Sequence, residues 1–197
     1  QRQMCIRDRI LSRLCSAHLR GCPQELSNCV DSAEREYLPR GITETLSTLD
    51  FIDSGLNVCI LGPSDSGKSY LAKAIGIVAC NNYKVEYHHC EPLLEELVAL
   101  KAVDYSKYQK RLKKTCGAAL LILDDFLLHT ITDEREVKIL FEILEKRCEI
   151  NLSTIICSQR EPASWSSMIL NDEVSANAIL KRATKHYTVV IKPRMAD

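Results

Sequence analysis

Glycine is scarce in this chain, seven of 197 residues, and aromatic residues make up only 6%. There is no internal repeat and no low-complexity segment, so repeat and fibrous architectures are excluded. Neither sign of charge is in excess, with 26 Lys+Arg against 26 Asp+Glu. A free-standing nucleic-acid binder is usually basic, so any DNA contact must come from a local patch or from several subunits acting together. No apolar run approaches the roughly 20 residues of a membrane span, and no charged-then-apolar leader is seen. A cytoplasmic protein without a membrane partner is expected. Cysteine is abundant, ten residues, yet no C-x-x-C occurs. Cys59, Cys80 and Cys157 lie inside apolar runs, where the thiol acts as a small hydrophobe, and free thiols are the simplest reading in a reducing compartment. Cys15, Cys22 and Cys29 recur every seven residues and His88-His89-Cys90 sit together, but neither spacing is that of a known zinc motif.

With 46% hydrophobic residues, the chain can build one domain with a sizeable core. Its first residues stand apart. Met4–Arg9 (MCIRDR) resembles the in-frame translation of a sequencing-library adaptor, so residues 1–9 are expected to be non-native. The expected organisation is then a short helical and irregular segment over 10–40 and a nucleotide-binding core over 41–197.

The most specific stretch is Gly62-Pro63-Ser64-Asp65-Ser66-Gly67-Lys68-Ser69, which fits G-x-x-x-x-G-K-[ST]. The apolar run NVCIL precedes it, and apolar residues at Leu71, Ala72, Ile75, Val78 and Ala79 follow at helical spacing. Strand, loop and helix in that order form an anion cradle. Inward backbone N–H groups and the helix N-terminus hold phosphates, Lys68 supplies a cation, and the Ser69 hydroxyl can ligate magnesium. The expected ATP contacts are residues 62–69 with the adjoining Tyr70. Asp65 puts a negative charge in an anion loop, and Asp tolerates positive φ better than most residues.

Along the chain, helices are expected at 10–20, at 42–55 as one helix ended by Gly55, at 92–102, at 105–115, at 133–150 capped by Thr132, and over EVSANAILKRATKH; strands at 57–61, 84–89, 118–126, 152–159 and 187–191. Residues 21–40 read as irregular, broken by Pro23 and Pro39. Continuously apolar strands alternating with helices predict a five-stranded parallel sheet sandwiched between helices. The run LLILDD places Asp124 at a strand end to hold magnesium and Asp125 to orient and deprotonate water. The gap of about sixty residues leaves room for an extra strand between the two nucleotide-binding strands. An acidic base of this kind suits an ATPase better than a small-molecule kinase. Ser158 or Gln159, at the end of the next strand, is placed to touch the γ-phosphate or the water. A strand-end turn residue is the plain alternative.

Together, GPSDSGKSYLAKAIG, LLILDDF, the TITDER and ILEKR stretches, STIICSQ and NDEVSANAILKRATKHYTVVI resemble the IstB family, AAA+ ATPases that assist a transposase and are similar to DnaC-type loaders and DnaA. The resemblance runs from about Tyr37 to Ile191. It implies an AAA+ P-loop fold, ATP and magnesium as cofactors, a transposase and duplex DNA as partners, and a homo-oligomer. It also implies that Arg182 is an arginine finger reaching the ATP of a neighbouring subunit; from the residues alone Arg182 is a surface helix charge. The chain departs from the family at Asp65 and Leu127, where glycine is usual, and at Lys181, where an acid is usual. These departures imply a slower catalytic site.

Lys107, Lys110, Arg111 and Lys114 follow i, i+3, i+4, i+7 and share a helical face flanked by Lys113, a candidate DNA-binding patch or simply a solvated face. Tyr105 and Tyr108 are more easily read as core than as stacking platforms. The leading function is an ATP-hydrolysing transposition helper. The alternatives are a DnaC-type helicase loader, a small-molecule kinase and a non-hydrolysing nucleotide module.

Overall fold

The computed structural model describes residues 5–169, 177, 180–181 and 184–194. Six strands, β1 (Arg35–Leu38), β2 (Val58–Leu61), β3 (Val85–His89), β4 (Leu120–Asp124), β5 (Ser153–Ser158) and β6 (Tyr187–Pro193), form one sheet in the order β1-β6-β2-β5-β4-β3. Five of them are parallel, and β1 pairs antiparallel with β6 at the edge. The expected five-stranded parallel sheet is therefore present and carries a sixth strand. That strand comes from the stretch read as irregular, which also holds a 3-10 turn at Leu26–Asn28. Four residues ending at Pro39 are too short to show alternation, and the Asp31 carboxylate that accepts from the Tyr37 N–H at 2.8 Å is a local device.

Eight helices are seen among the described residues: α1 (Ile6–Ser16), α2 (Ile42–Ser47), α3 (Asp50–Asp53), α4 (Lys68–Ala79), α5 (Cys90–Val103), α6 (Tyr105–Cys116), α7 (Glu134–Glu149) and α8 (Pro162–Trp165). The single helix expected over 42–55 is two, because Leu49 takes φ 64° between them. α7 is capped by Asp133, whose side chain accepts from the Arg135 N–H, and not by Thr132. Most of the helix expected over 173–186 lies outside the described residues. No described helix is long and apolar enough to cross a membrane.

Alternate strand residues face opposite layers. Val58, Ile60, Leu120, Ile122, Ile155 and Cys157 pack against α1 to α4. Cys59, Leu61, Leu121, Leu123 and Ile156 pack against α5 to α7 and Trp165. Both faces are covered, which is why the strand sequences are continuously apolar. Between β2 and β4 lies β5, and β3, the strand preceding β4 in the chain, goes to the far edge. The C-terminal ends of β2, β5 and β4 thus stand side by side, the place where open α/β sheets bind ligands.

Candidate nucleotide site

The phosphate loop leaves β2 at Leu61 and enters α4 at Lys68. Its turn is built on two left-handed residues, Asp65 (φ 58°) and Gly67 (φ 99°), the latter being the N-cap of α4. Asp65 has the positive φ foreseen for it and is exposed. Gly62 is required by close approach: a methyl there would lie 2.7 Å from both the Ile191 carbonyl and the Ser66 hydroxyl. Ser66 Oγ is buried with no hydrogen-bond partner. A glycine-lined loop with an orphaned buried hydroxyl and a helix N-terminus fits a phosphate chain on its own geometry.

Lys68 is 6% exposed, and its ammonium donates to the Pro63 carbonyl at 2.6 Å, inside the loop. Burial lowers its pKa from the ordinary value, while the Cys157 thiol and the carboxylates of Asp124, Asp125 and Asp65 pull it the other way. Asp124 ends β4 and Asp125 follows it, while Asp65 belongs to the loop itself. Asp124 is fully buried; its Oδ2 accepts from the Tyr87 hydroxyl at 2.5 Å and its Oδ1 from the Asp125 N–H at 3.0 Å. Burial, then Asp124 itself, pushes the Tyr87 pKa far upward, so the phenol remains a donor. Asp125 takes φ 53°, turns out of the strand, and its Oδ2 lies 2.8 Å from His89 Nδ1. The structure therefore brings Lys68, Asp124 and Asp125 together.

For a magnesium ion the chain offers the Ser69 hydroxyl in the first turn of α4 and the Asp124 carboxylate. Among the described residues no group of three or more His, Cys, Asp or Glu is arranged around a metal. Magnesium keeps several waters and is held by one or two protein oxygens plus substrate phosphates, so this hydroxyl and carboxylate are donors of the right kind.

Other sequence-predicted residues are placed differently. Pro63 and Ser64 are exposed on the loop's outer turn. The Tyr70 hydroxyl points away from the loop and accepts from the Glu25 N–H at 3.2 Å and Asn28 Nδ2 at 3.1 Å, so only its backbone can face a phosphate. The Ser158 hydroxyl is taken by backbone, donating to the Phe126 carbonyl at 2.8 Å and accepting from the Arg160 N–H at 3.1 Å, while Gln159 is exposed just past β5. Arg182 lies outside the described residues. In the basic helix α6, Lys107 pairs with the capping Asp104 at 3.3 Å, Arg111 with Glu96 at 2.8 Å, and Lys114 with Glu86 at 2.8 Å, whereas Lys110 and Lys113 are exposed. Tyr108 is buried and Tyr105 exposed. No disulfide joins the ten cysteines.

Tyr87 and His89 went unread as site residues. Their signal was the pairing of β3 with β4: His89 lies opposite Asp124 and Tyr87 opposite Ile122, one face of two neighbouring strands. Only the register reveals it.

Residues 8–193 match the family described as IstB-like ATP binding protein. A Sinorhizobium fredii protein named as an insertion-sequence ATP-binding protein is 37% identical over 175 residues, covering 88% of this chain and 68% of its own length. A Bacillus thuringiensis protein named in the same way is 34% identical over 82% of this chain and 64% of its own. The chain thus spans about two-thirds of the length of these relatives. Among solved structures, the DnaC helicase loader superposes with a TM-score of 0.63 at 21% identity, covering 86% of this chain and 97% of that one. The replication initiator DnaA bound to AMPPCP and single-stranded DNA gives 0.67 at 20% identity, over 86% of this chain and 50% of that one.

Proposed function

This chain belongs to the IstB-like ATP-binding protein family, and from that membership we propose that it is a magnesium-dependent ATPase that assists DNA transposition. Its insertion-sequence relatives support a transposase as partner, and the DnaA of like fold is bound to single-stranded DNA, in keeping with a DNA partner. The observation that carries the reading is that the phosphate loop after β2, with its orphaned buried Ser66 hydroxyl, opens at the same edge of the sheet as Asp124 at the end of β4.

Each residue has a task. Lys68 leaves the Pro63 carbonyl and turns to the outer phosphates. Tyr87 fixes the Asp124 carboxylate. Asp125 leaves His89 to orient a water and take its proton. Gln159 senses the γ-phosphate, and Arg182 of a neighbouring copy neutralises developing charge. The Ser69 hydroxyl and the Asp124 carboxylate would hold magnesium, which would supply charge neutralisation to the phosphate chain. Lys107, Lys110, Arg111, Lys113 and Lys114 form the DNA face, multiplied by assembly.

The test is turnover and nucleotide binding by Lys68→Ala and Asp125→Asn. We expect Lys68→Ala to lose binding. Asp125→Asn should keep binding and lose about 100-fold or more in turnover, the scale of a removed general base. Turnover by Asp125→Asn equal to that of the unaltered chain would overturn the assignment. A second reading, a helicase loader, is favoured by the superposition over nearly all of the DnaC chain. Capture of a replicative helicase and not of the transposase from the same element would select it.

A further inference from the structure

Arg35 on β1 lies against the phosphate loop. A methyl group on Gly67 would sit 2.6 Å from Arg35 Nη1 and 3.5 Å from Cζ, so the guanidinium covers the N-cap of α4. Arg35 is half-buried, and among the described residues no carboxylate lies within ion-pairing distance of it. Its polar neighbours are the buried Tyr37 hydroxyl and the Cys29 thiol. The arrangement sets one cation on the positive end of a helix dipole, in the same loop that buries the ammonium of Lys68 and the orphaned Ser66 hydroxyl. Like charges gathered in this way repel one another, and a polyanion turns the repulsion into attraction. A guanidinium is suited to that anion because its planar fork can hold two phosphate oxygens at once.

We propose that Arg35 is a ligand of the nucleotide's phosphate chain, supplied in cis by the antiparallel edge strand. This rests on the reading that the loop binds ATP. The nucleotide then bridges the core and the segment before it. Through Tyr70, which accepts from Glu25 and Asn28, the residue beside Ser69 is tied to the same segment. Residues 25–38 tighten on the loop when phosphate is present.

The experiment is equilibrium titration of the full chain with fluorescent ATP and ADP analogues, with thermal unfolding measured in parallel. Arg35→Ala should weaken binding at least about tenfold, the scale of one lost charge-assisted hydrogen bond. Arg35→Lys should recover part of that affinity, and Arg35→Gln, close in shape, should behave as Ala does. Loss for both nucleotides places the contact on the inner phosphates, and loss for ATP alone places it on the γ-phosphate. If the variants unfold at lower temperature but bind within about twofold of the parent, Arg35 only packs and the proposal fails. If the parent itself binds neither nucleotide, the ATP reading fails first. Should Arg35→Ala not fold, Arg35→Gln and Arg35→Lys carry the test.

Discussion

Asp65 and Leu127 both hold left-handed backbone, φ 58° and 52°, at the two positions where the resemblance leads one to expect glycine. The same conformation has opposite consequences at the two. Asp65 is exposed in the phosphate loop, and Asp tolerates this conformation. In Asp65→Gly the strain relieved is matched by the greater freedom of glycine in the unfolded chain, about 0.4–1 kcal/mol. Stability should change little. What goes is a carboxylate beside bound phosphate, so ATP affinity should rise severalfold, about threefold or more, in a nucleotide titration. Leu127 is 3% exposed. Relief there is worth about 1–2 kcal/mol, whereas deleting a buried leucine side chain costs about 2–5 kcal/mol. Leu127→Gly should therefore unfold at lower denaturant concentration, and a more stable variant would refute this ranking. The identities of both departures were readable from the sequence. That each sits on positive φ was not, because φ depends on how the loop closes against its neighbours.

Among elements, the long helices were legible because their apolar residues recur with one period over ten or more positions, as in α7, and the strands because they are continuously apolar, as in β4. What stayed hidden was short or set by distant contacts. Four residues of β1 carry no period, and its pairing with β6 joins residues about 155 apart in the chain. The break at Leu49 lies inside an unbroken helical pattern. Arg147, within the charged ILEKR stretch of α7, is 1% exposed. Its guanidinium donates to the carbonyls of Cys116 and Ala118, each at 2.8 Å, to the Ser153 carbonyl, and to Thr154 Oγ1 at 2.9 Å. It thereby locks α7 to the end of α6 and the start of β5. Burial lowers its pKa to about 10. An ammonium cannot reproduce that fan of donors. Arg147→Lys leaves buried carbonyls unpaired at about 1–3 kcal/mol each, so chemical denaturation should show a loss of about 3 kcal/mol or more. At the other end of α7, the cap is decidable by a pair of variants. Asp133→Ala should cost about 0.5–2 kcal/mol, and Thr132→Ala close to nothing; the reverse order would restore Thr132 as the cap.

At the scale of the whole molecule, the balanced net charge hides a local network that decides which cations face solvent. Glu86 on β3 is 3% exposed and lies 2.8 Å from His88 Nε2, 2.8 Å from Lys114 Nζ and 3.6 Å from Arg111 Nη1. Burial pushes its pKa up, and the hydrogen bonds to His88 and Lys114 more than offset that, leaving it below its ordinary value of 4.5. A carboxylate with a depressed folded pKa stabilises the fold above its unfolded value, and that contribution is lost as pH falls through the folded one. The parent should thus lose melting temperature on acidification below about pH 4.5. Glu86→Gln should melt lower near neutrality, with the gap between the two closing at the acid end. The same substitution removes the counter-charge from Lys114, one of the five cations proposed to face DNA, while Arg111 stays held by Glu96 at 2.8 Å. If α6 meets DNA, freeing Lys114 should tighten DNA binding and steepen its salt dependence by up to about one in log–log slope for each bound subunit. Unchanged affinity and slope in a variant that still folds and binds ATP would move the DNA path off α6, because a phosphate contact cannot gain a cation without releasing more counterions.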